Sequence, residues 1–385
     1  MGKRGKLLCG LLFTMLIVVS LIISCAPEPA TTSPPTQPTT PTTPTQPTTP
    51  TTTAPPKPSS IKVSGVSMGK SGYLQTAAMA TKADEATGVP WKVLPRAKVM
   101  DRFINTRDGI IDVIYTQNAA IYPMQKGWWE FNMPDWGPQD MRLIYGGGIM
   151  QMSMCTQDDS GIYTAADMKG KTATWPRLQA GSYWLMNIAI WDFFGIDFNN
   201  KTSDLNYVPL TTGLGTGLLI EGDVDLYIQS PTAGSAYQTA AGPRGMRWLS
   251  MPPEDKEGWA RQQKTLPFAY PYLAKEGANI PAGGTWVQAS GSPYMAYASL
   301  DESKAYWATK GFWDGYELYE NMHPDLVFYS HDWCLDSDNW SLPFHDGSVK
   351  FFKDIGVWTA EHEAVQSKLI EQVKQDIANW KYIPD

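Results

Sequence analysis

Residues 26–60 are almost entirely proline and threonine, and this block decides how much of the chain can fold. Proline fixes φ and removes a backbone donor, and the repeated Pro-Thr-Thr-Pro units offer nothing apolar to bury. An extended, semi-stiff, solvated spacer is expected there, so any core must come from residues 61–385. What precedes the block reads as a processing signal. Lys3, Arg4 and Lys6 lead into an apolar run, Leu7 to Ile23, which ends in Ile22-Ile23-Ser24-Cys25. A small residue before a cysteine at that place has the form of a lipobox. The expectation is a signal peptide over 1–24, a lipid anchor on Cys25, and an exported body tethered at the outer face of the cytoplasmic membrane.

The body suits two lobes rather than one small domain. Losing the three basic residues of the signal takes the formal charge from −7 to −10. An acidic body without a basic cluster argues against nucleic acid or an anionic membrane surface as partner. A monomer is expected, with no cofactor and no metal. With Cys9 in the signal and Cys25 acylated, Cys155 and Cys334 remain, either as a disulfide or as two separate buried thiols.

Strand-like runs at 61–66, 91–94, 110–116, 142–145, 150–156, 171–175, 205–210, 226–229, 246–250 and 294–300 alternate with helical runs. The helical runs are 73–87, 99–104, 182–194, 254–264, 301–322 and 360–380, the last with Val365, Leu369, Val373, Ile377 and Trp380 on one face. This alternation predicts an α/β architecture with a mainly parallel sheet. One motif recurs: Asp108-Gly109-Ile110-Ile111-Asp112 through Gln117 matches Glu221-Gly222-Asp223-Val224-Asp225 through Ser230. Each copy reads as a helix ended by glycine, then an aspartate opening a buried strand that finishes on glutamine beside a hydroxyl, Thr116-Gln117 or Gln229-Ser230. Two equivalent halves of this kind would hold a ligand between them.

The loop after the first strand, Gly65-Val-Ser67-Met-Gly69-Lys70-Ser71-Gly72-Tyr73, has glycines that let the backbone approach a ligand. The helix that follows offers unpaired amides and the positive end of its dipole, which favour a carboxylate. Gln179-Ala180-Gly181-Ser182 repeats this arrangement before the next helix. Arg96 and Arg177 each end a strand-like run nearby, and a closed anion site needs such donors. Tyr73, Trp175, Tyr183 and Trp286 are candidate apolar walls. Only His331, Asp332, Asp336, Asp338, His345 and Asp346 form a dense titratable cluster. A calcium loop from Asp336 would need Gly and Glu where Ser341 and Gly347 stand, and no zinc or Gly-x-Ser-x-Gly pattern is present. The chain reads as a binder, not an enzyme.

These stretches, taken in order, resemble the TAXI family, the extracytoplasmic solute receptors of tripartite ATP-independent periplasmic (TRAP) transporters. The likeness lies in residues 65–73, 109–118, 342–347 and Asp159-Ser-Gly-Ile-Tyr-Thr-Ala-Ala-Asp-Met-Lys-Gly-Lys171, with Leu266-Pro-Phe and Ile280-Pro-Ala-Gly283. The resemblance implies a two-lobed, type II-like periplasmic-binding-protein fold with two hinge crossovers. Lobe 1 would be 61–148 plus 294–385, and lobe 2 149–293. Such a receptor closes on a small organic anion and delivers it to a membrane permease. Together with the loop chemistry, it gives Ser67, Gly69, Lys70, Ser71, Gly72, Tyr73, Arg96, Thr116, Gln117, Asn118, Trp175, Arg177, Gly181, Ser182 and Gln229 as expected ligand-binding residues. Lys70, and Pro95-Arg96-Ala97 where many members have Gly-Ser, depart from the family pattern and leave the solute open. Two rival readings stand: a surface receptor for carbohydrate or aromatic compounds, and a hydrolase built on the His331–Asp346 cluster.

Overall fold

The computed structural model describes residues 54–68, 71–175, 182–197, 205–209 and 215–384. A first alternating run comprises β1 (Ile61–Ser64), α1 (Ser71–Thr87), β2 (Trp91–Val93), α2 (Val99–Arg107), β3 (Val113–Tyr115) and α3 (Asn118–Lys126), followed by β4 (Met141–Tyr145). After β5 (Met150–Thr156) a second run repeats it: β6 (Thr172–Trp175), α4 (Ser182–Phe193), β7 (Asn206–Pro209), α5 (Gly215–Glu221), β8 (Tyr227–Gln229) and α6 (Gly234–Ala240). Then come β9 (Arg247–Trp248), α7 (Lys256–Thr265), the hairpin β10 (Tyr270–Ala274) and β11 (Thr285–Ser290), and β12 (Tyr294–Tyr297). The chain ends in α8 (Glu302–Asp314), α9 (Tyr316–Tyr319), α10 (His331–Leu335), α11 (Asp346–Asp354) and α12 (Ala360–Asn379).

The first sheet runs β2-β1-β3-β12-β4, with β1 parallel to β2 and β3, and β12 antiparallel to β3 and β4. The second runs β10-β11-β5-β8, with β9 also on β5, and every pair in it is antiparallel. β6 and β7 pair in parallel, and a parallel bridge from Ala173 to Leu226 joins them to β8. The expected mainly parallel sheet is therefore corrected: among the described residues most strand pairs are antiparallel. Each alternating run does keep three parallel strands, and the antiparallel character comes from β5, β12 and the hairpin. That hairpin was not among the expected strands: Pro271 interrupts β10, and β11 carries Thr285, Gln288 and Ser290 among its apolar residues.

Each sheet has its own core. Val63, Val113, Tyr145, Tyr294 and Phe312 fill the first, and Met152, Ile190, Trp191, Leu226 and Trp259 the second. The chain passes between the sheets twice, from β4 to β5 and from β11 to β12. The crossings are bonded to each other, Ser292 N–H donating to Gly147 O at 3.0 Å. Gly147 and Gly148 adopt φ of 105° and 68°, and a Cβ on Gly148 would lie 2.5 Å from the Tyr329 hydroxyl. The two-lobed α/β fold expected from the sequence is present.

The recurrent motif has one physical role in both halves. Gly109 and Gly222 turn the chain at positive φ after α2 and α5. Asp112 then accepts Lys62 N–H at 2.8 Å while its own N–H donates to Lys62 O. Asp225 accepts Thr172 N–H at 2.8 Å, and its N–H donates to Thr172 O. Each aspartate thus closes the amino-terminal end of the central strand, β1 or β6, and fixes its register against the next strand.

Three further expectations change. The expected helix at 301–322 breaks at Gly315, which lies against the backbone of Lys82 and Ala83 and lets α1 and α8 pack closely. In α12 Ile377 is 40 % exposed, and Trp380 ends the helix by covering Gly127 and Gly137. The spacer's last residues are docked rather than solvated: Trp307 Nε1 donates to Pro55 O at 2.9 Å, Ser303 Oγ to Pro56 O, and Lys57 Nζ to Thr87 O at 2.7 Å. Among the described residues no helix is long and apolar enough to cross a membrane.

Asp112 is buried and also pairs with Lys304 at 2.8 Å, so its loss orphans a strand amide and a half-buried ammonium. Asp112→Ala is expected to destabilise the fold by about 1–3 kcal/mol. Asp225→Ala, at a more exposed position, should cost less. Equilibrium urea unfolding of both variants checks the order.

Candidate functional site

The parallel strands β1, β2 and β3 end at one edge, where residues 65–68 leave β1 and Ser71 starts α1. Gly65 and Gly72 are needed for the close approach there: a Cβ on Gly65 would lie 2.9 Å from Thr76 Oγ1, and one on Gly72 2.5 Å from the Tyr115 ring. Arg96 N–H donates to Gly65 O at 3.3 Å, which carries the β1–β2 pairing into the loop and holds Arg96 beside it. The Arg96 guanidinium donates to Asn105 Oδ1 and Pro95 O, and among the described residues it pairs with no carboxylate.

Tyr115 leads into Thr116, Gln117 and Asn118, all buried. Thr116 N–H donates to Pro293 O and Asn118 N–H to Gly291 O, tying this segment to the β11–β12 crossing. Among the described residues Thr116 Oγ1 and Asn118 Oδ1 have no hydrogen-bond partner, nor do Ser290 Oγ at the end of β11, Ser292 Oγ on the crossing and Gln151 Oε1 on β5. Buried polar atoms left unpaired are costly, so this edge holds unmet hydrogen-bonding capacity. Gly72, Arg96, Thr116, Gln117 and Asn118 are thus brought to this edge, with Ser67 two residues beyond Gly65 and half-buried Tyr73 on the first turn of α1. Ser290, Ser292 and Gln151 carry no sequence signal for this edge, because nothing local marks where the chain returns between the sheets.

Ser71 is placed at the start of α1 but is otherwise engaged. His323 Nδ1 accepts Asp325 N–H at 3.1 Å, which puts the imidazole proton on Nε2, 3.1 Å from Ser71 Oγ. Ser71 also accepts from Gln75 at 2.7 Å and donates to Asp325 Oδ2 at 3.3 Å. A nucleophilic serine would need the opposite imidazole tautomer, so these three residues do not form a nucleophile–base pair. His323-Pro324-Asp325 is visible in the sequence as a helix-start pattern, but its contact with Ser71 spans more than 250 positions. Burial pushes the Asp325 carboxyl above its ordinary range, against the lowering influence of His323.

In the second half, Trp175 ends β6, its backbone in register with Pro209, and Ser182 begins α4. Gly69, Lys70, Arg177, Gly181 and Cys25, the expected lipidation site, lie outside the described residues. Gln229 goes elsewhere than expected. Its amide lies 3.4 Å from Cys155 Sγ and from Thr239 Oγ1, and accepts from Ser235 at 2.9 Å, inside a small core with Met246 and Trp248. Strand alternation explains the turn, since the pleat sends successive side chains to opposite faces.

The His331–Asp346 cluster is dispersed into structural duties. His331 stacks on Trp313 at 3.8 Å, His345 Nδ1 caps α11 at Gly347 N–H, and Asp336 caps the turn at Ser337–Asn339. Among the described residues no group of three His, Cys, Asp or Glu could hold a metal ion. Cys155 and Cys334 are separate, buried, free thiols.

With that geometry in place, the chain matches the NMT1-like family over residues 105–356. It belongs to that family. It is similar, at 13 % identity and a TM-score of 0.47, to the periplasmic aliphatic sulphonate binding protein SsuA from Escherichia coli, covering 85 % of this chain and 96 % of that one. A sulfonate-binding SsuA from Methylobacillus flagellatus is similar at 12 % identity and a TM-score of 0.45, covering 84 % and 97 %. MatC from Rhodopseudomonas palustris with bound malate is similar at 10 % and 0.41, covering 83 % and 97 %. Likenesses this remote assign no ligand. No curated protein matches the chain.

Two outcomes follow. A carboxyl whose folded pKa is raised is most favourable to stability when protonated, and that contribution is lost as pH rises through the folded value. Asp325→Asn is therefore expected to be at least as stable as the parent at neutral pH, the difference vanishing in acid below the unfolded carboxylate range. Thermal unfolding across pH checks the sign, and a less stable variant at pH 7 would show that the bonds from Ser71 and Gln75 outweigh desolvation. Burial pushes the Cys155 thiol up to about 12 and Cys334 higher still. Neither should react with a thiol reagent at pH 8 until the chain is unfolded.

Proposed function

We propose that this NMT1-like protein is an exported, lipid-anchored solute receptor of the TAXI type. It binds a small organic carboxylate between two lobes and delivers it to a TRAP-type permease driven by an ion gradient. Lobe 1 is 61–148 with 294–385, lobe 2 is 149–293, and the paired crossings form the hinge. In this reading Ser67, Gly72, Tyr73, Arg96, Thr116, Gln117 and Asn118 serve the first side, and the sequence assigns Gly69 and Lys70 to it as well. The second side is assigned from sequence to Trp175, Arg177, Gly181 and Ser182.

The observation that carries this reading is the repeated unit sealed by Asp112 and Asp225. It gives each half a central strand, β1 or β6, followed in the chain by a helix, α1 or α4. Helix-start amides and a guanidinium supply local positive potential on an acidic body, which a desolvated carboxylate requires. The ligand favours the closed arrangement only through the contacts added there, and this difference in affinity is what a permease would read. The hydrolase reading loses its ground with the His331–Asp346 cluster engaged in caps and stacking.

A thermal-shift screen of the mature chain tests the proposal. Carboxylates should raise the melting temperature and neutral sugars should not; the reverse result favours the carbohydrate reading. With a carboxylate that binds, Arg177→Ala should weaken affinity by roughly 2–5 kcal/mol. An unchanged Kd removes Arg177 from the site.

A further inference from the structure

One contact between the two sheets is made by a residue under backbone strain. Trp129 follows α3 with φ of 53°, a left-handed conformation that is costly for any residue with a Cβ and rare for a bulky one. Its ring meets the Trp184 ring edge to face, centroids 4.4 Å apart. Trp184 sits in the first turn of α4, directly after the second expected ligand loop.

The segment carrying Trp129 is rooted in the first core. Phe131, two residues on, is fully buried against Phe103 at 5.1 Å. Gly127 and Gly137, at φ of 63° and 70°, bracket the segment and lie under Trp380, whose Nε1 donates to Gly127 O at 3.2 Å. Lys126 pairs with Asp376 of α12 at 2.8 Å. The loop is thus clamped on the first-lobe side and reaches across to the second. Beside it α3 faces both ways, with Ile121 and Met124 in the first core and Ala119 in the second. Tyr122 adds an edge-to-face contact to Phe268 at 5.2 Å. Trp129 itself remains 41 % exposed, so burial of its own surface does not account for the strained conformation.

We propose that Trp129 is a latch: its contact with Trp184 holds the start of α4 against the first lobe and sets how readily the two halves part. This rests on the two-lobed receptor reading, but its test needs no ligand, so failure of the carboxylate proposal would leave it standing. The strain gives the test its discrimination. Trp129→Gly removes the ring and relieves the left-handed backbone, Trp129→Ala removes the ring and keeps the strain, and Trp184→Ala removes the partner alone.

Small-angle scattering and thermal unfolding are measured on the mature full-length chain and these variants. The parent should scatter as the compact form. An edge-to-face pair of this kind shifts a ratio of open to closed molecules by roughly three- to tenfold. Trp129→Gly and Trp184→Ala should therefore both enlarge the radius of gyration with unchanged circular dichroism. Trp129→Gly should also melt no lower than Trp129→Ala. A radius equal to the parent's in either ring-deletion variant, or an expansion accompanied by loss of secondary structure, would overturn the proposal.

Discussion

The rest of the structure depends on a carboxylate accepting a strand amide at the start of a central strand. Asp112 holds Lys62 N–H and Asp225 holds Thr172 N–H, each at 2.8 Å. A buried amide without an acceptor would leave the strand free to slip by one residue, which would turn its whole apolar face outward. With register fixed, the far ends of β1 and β6 are fixed too. The helices that follow in the chain, α1 and α4, start beyond those ends.

At the first of these edges, close approach and unmet polarity go together. Gly65 and Gly72 leave no room for side chains, so backbone lies against Thr76 and Tyr115. Around them Thr116, Asn118, Ser290 and Ser292 keep buried oxygens without partners among the described residues. Protein interiors rarely tolerate several such atoms within one short stretch, and a polar ligand or water would meet their demand. The neighbouring Ser71, His323 and Asp325 behave differently, because their hydrogen bonds are closed among themselves and Gln75.

Among the described residues the two halves touch through aromatic side chains, and no ion pair joins them. Trp129 on Trp184, Tyr122 on Phe268 and Tyr272 on Phe328 all meet edge to face. Such contacts are non-ionic and individually modest, worth about 0.5–1.5 kcal/mol beyond area burial.

Much of this was legible in the residues. The period of the apolar positions located ten of the strands and the long helices, because local exposure is written in local spacing. The repeated Gly-x-x-Asp identified two equivalent halves, because a positive-φ turn and a capping carboxylate each demand particular residue types. Strand direction, the β10–β11 hairpin, and the destinations of Ser71 and Gln229 were decided only by the tertiary structure. A strand reads the same in either direction, and whether a glutamine at its end faces a core or a cleft depends on neighbours remote in sequence. The meeting of Ser71 with His323 and of Trp129 with Trp184 follows the same rule: sequence fixes what each side chain can do, and packing across the sheets decides what it meets.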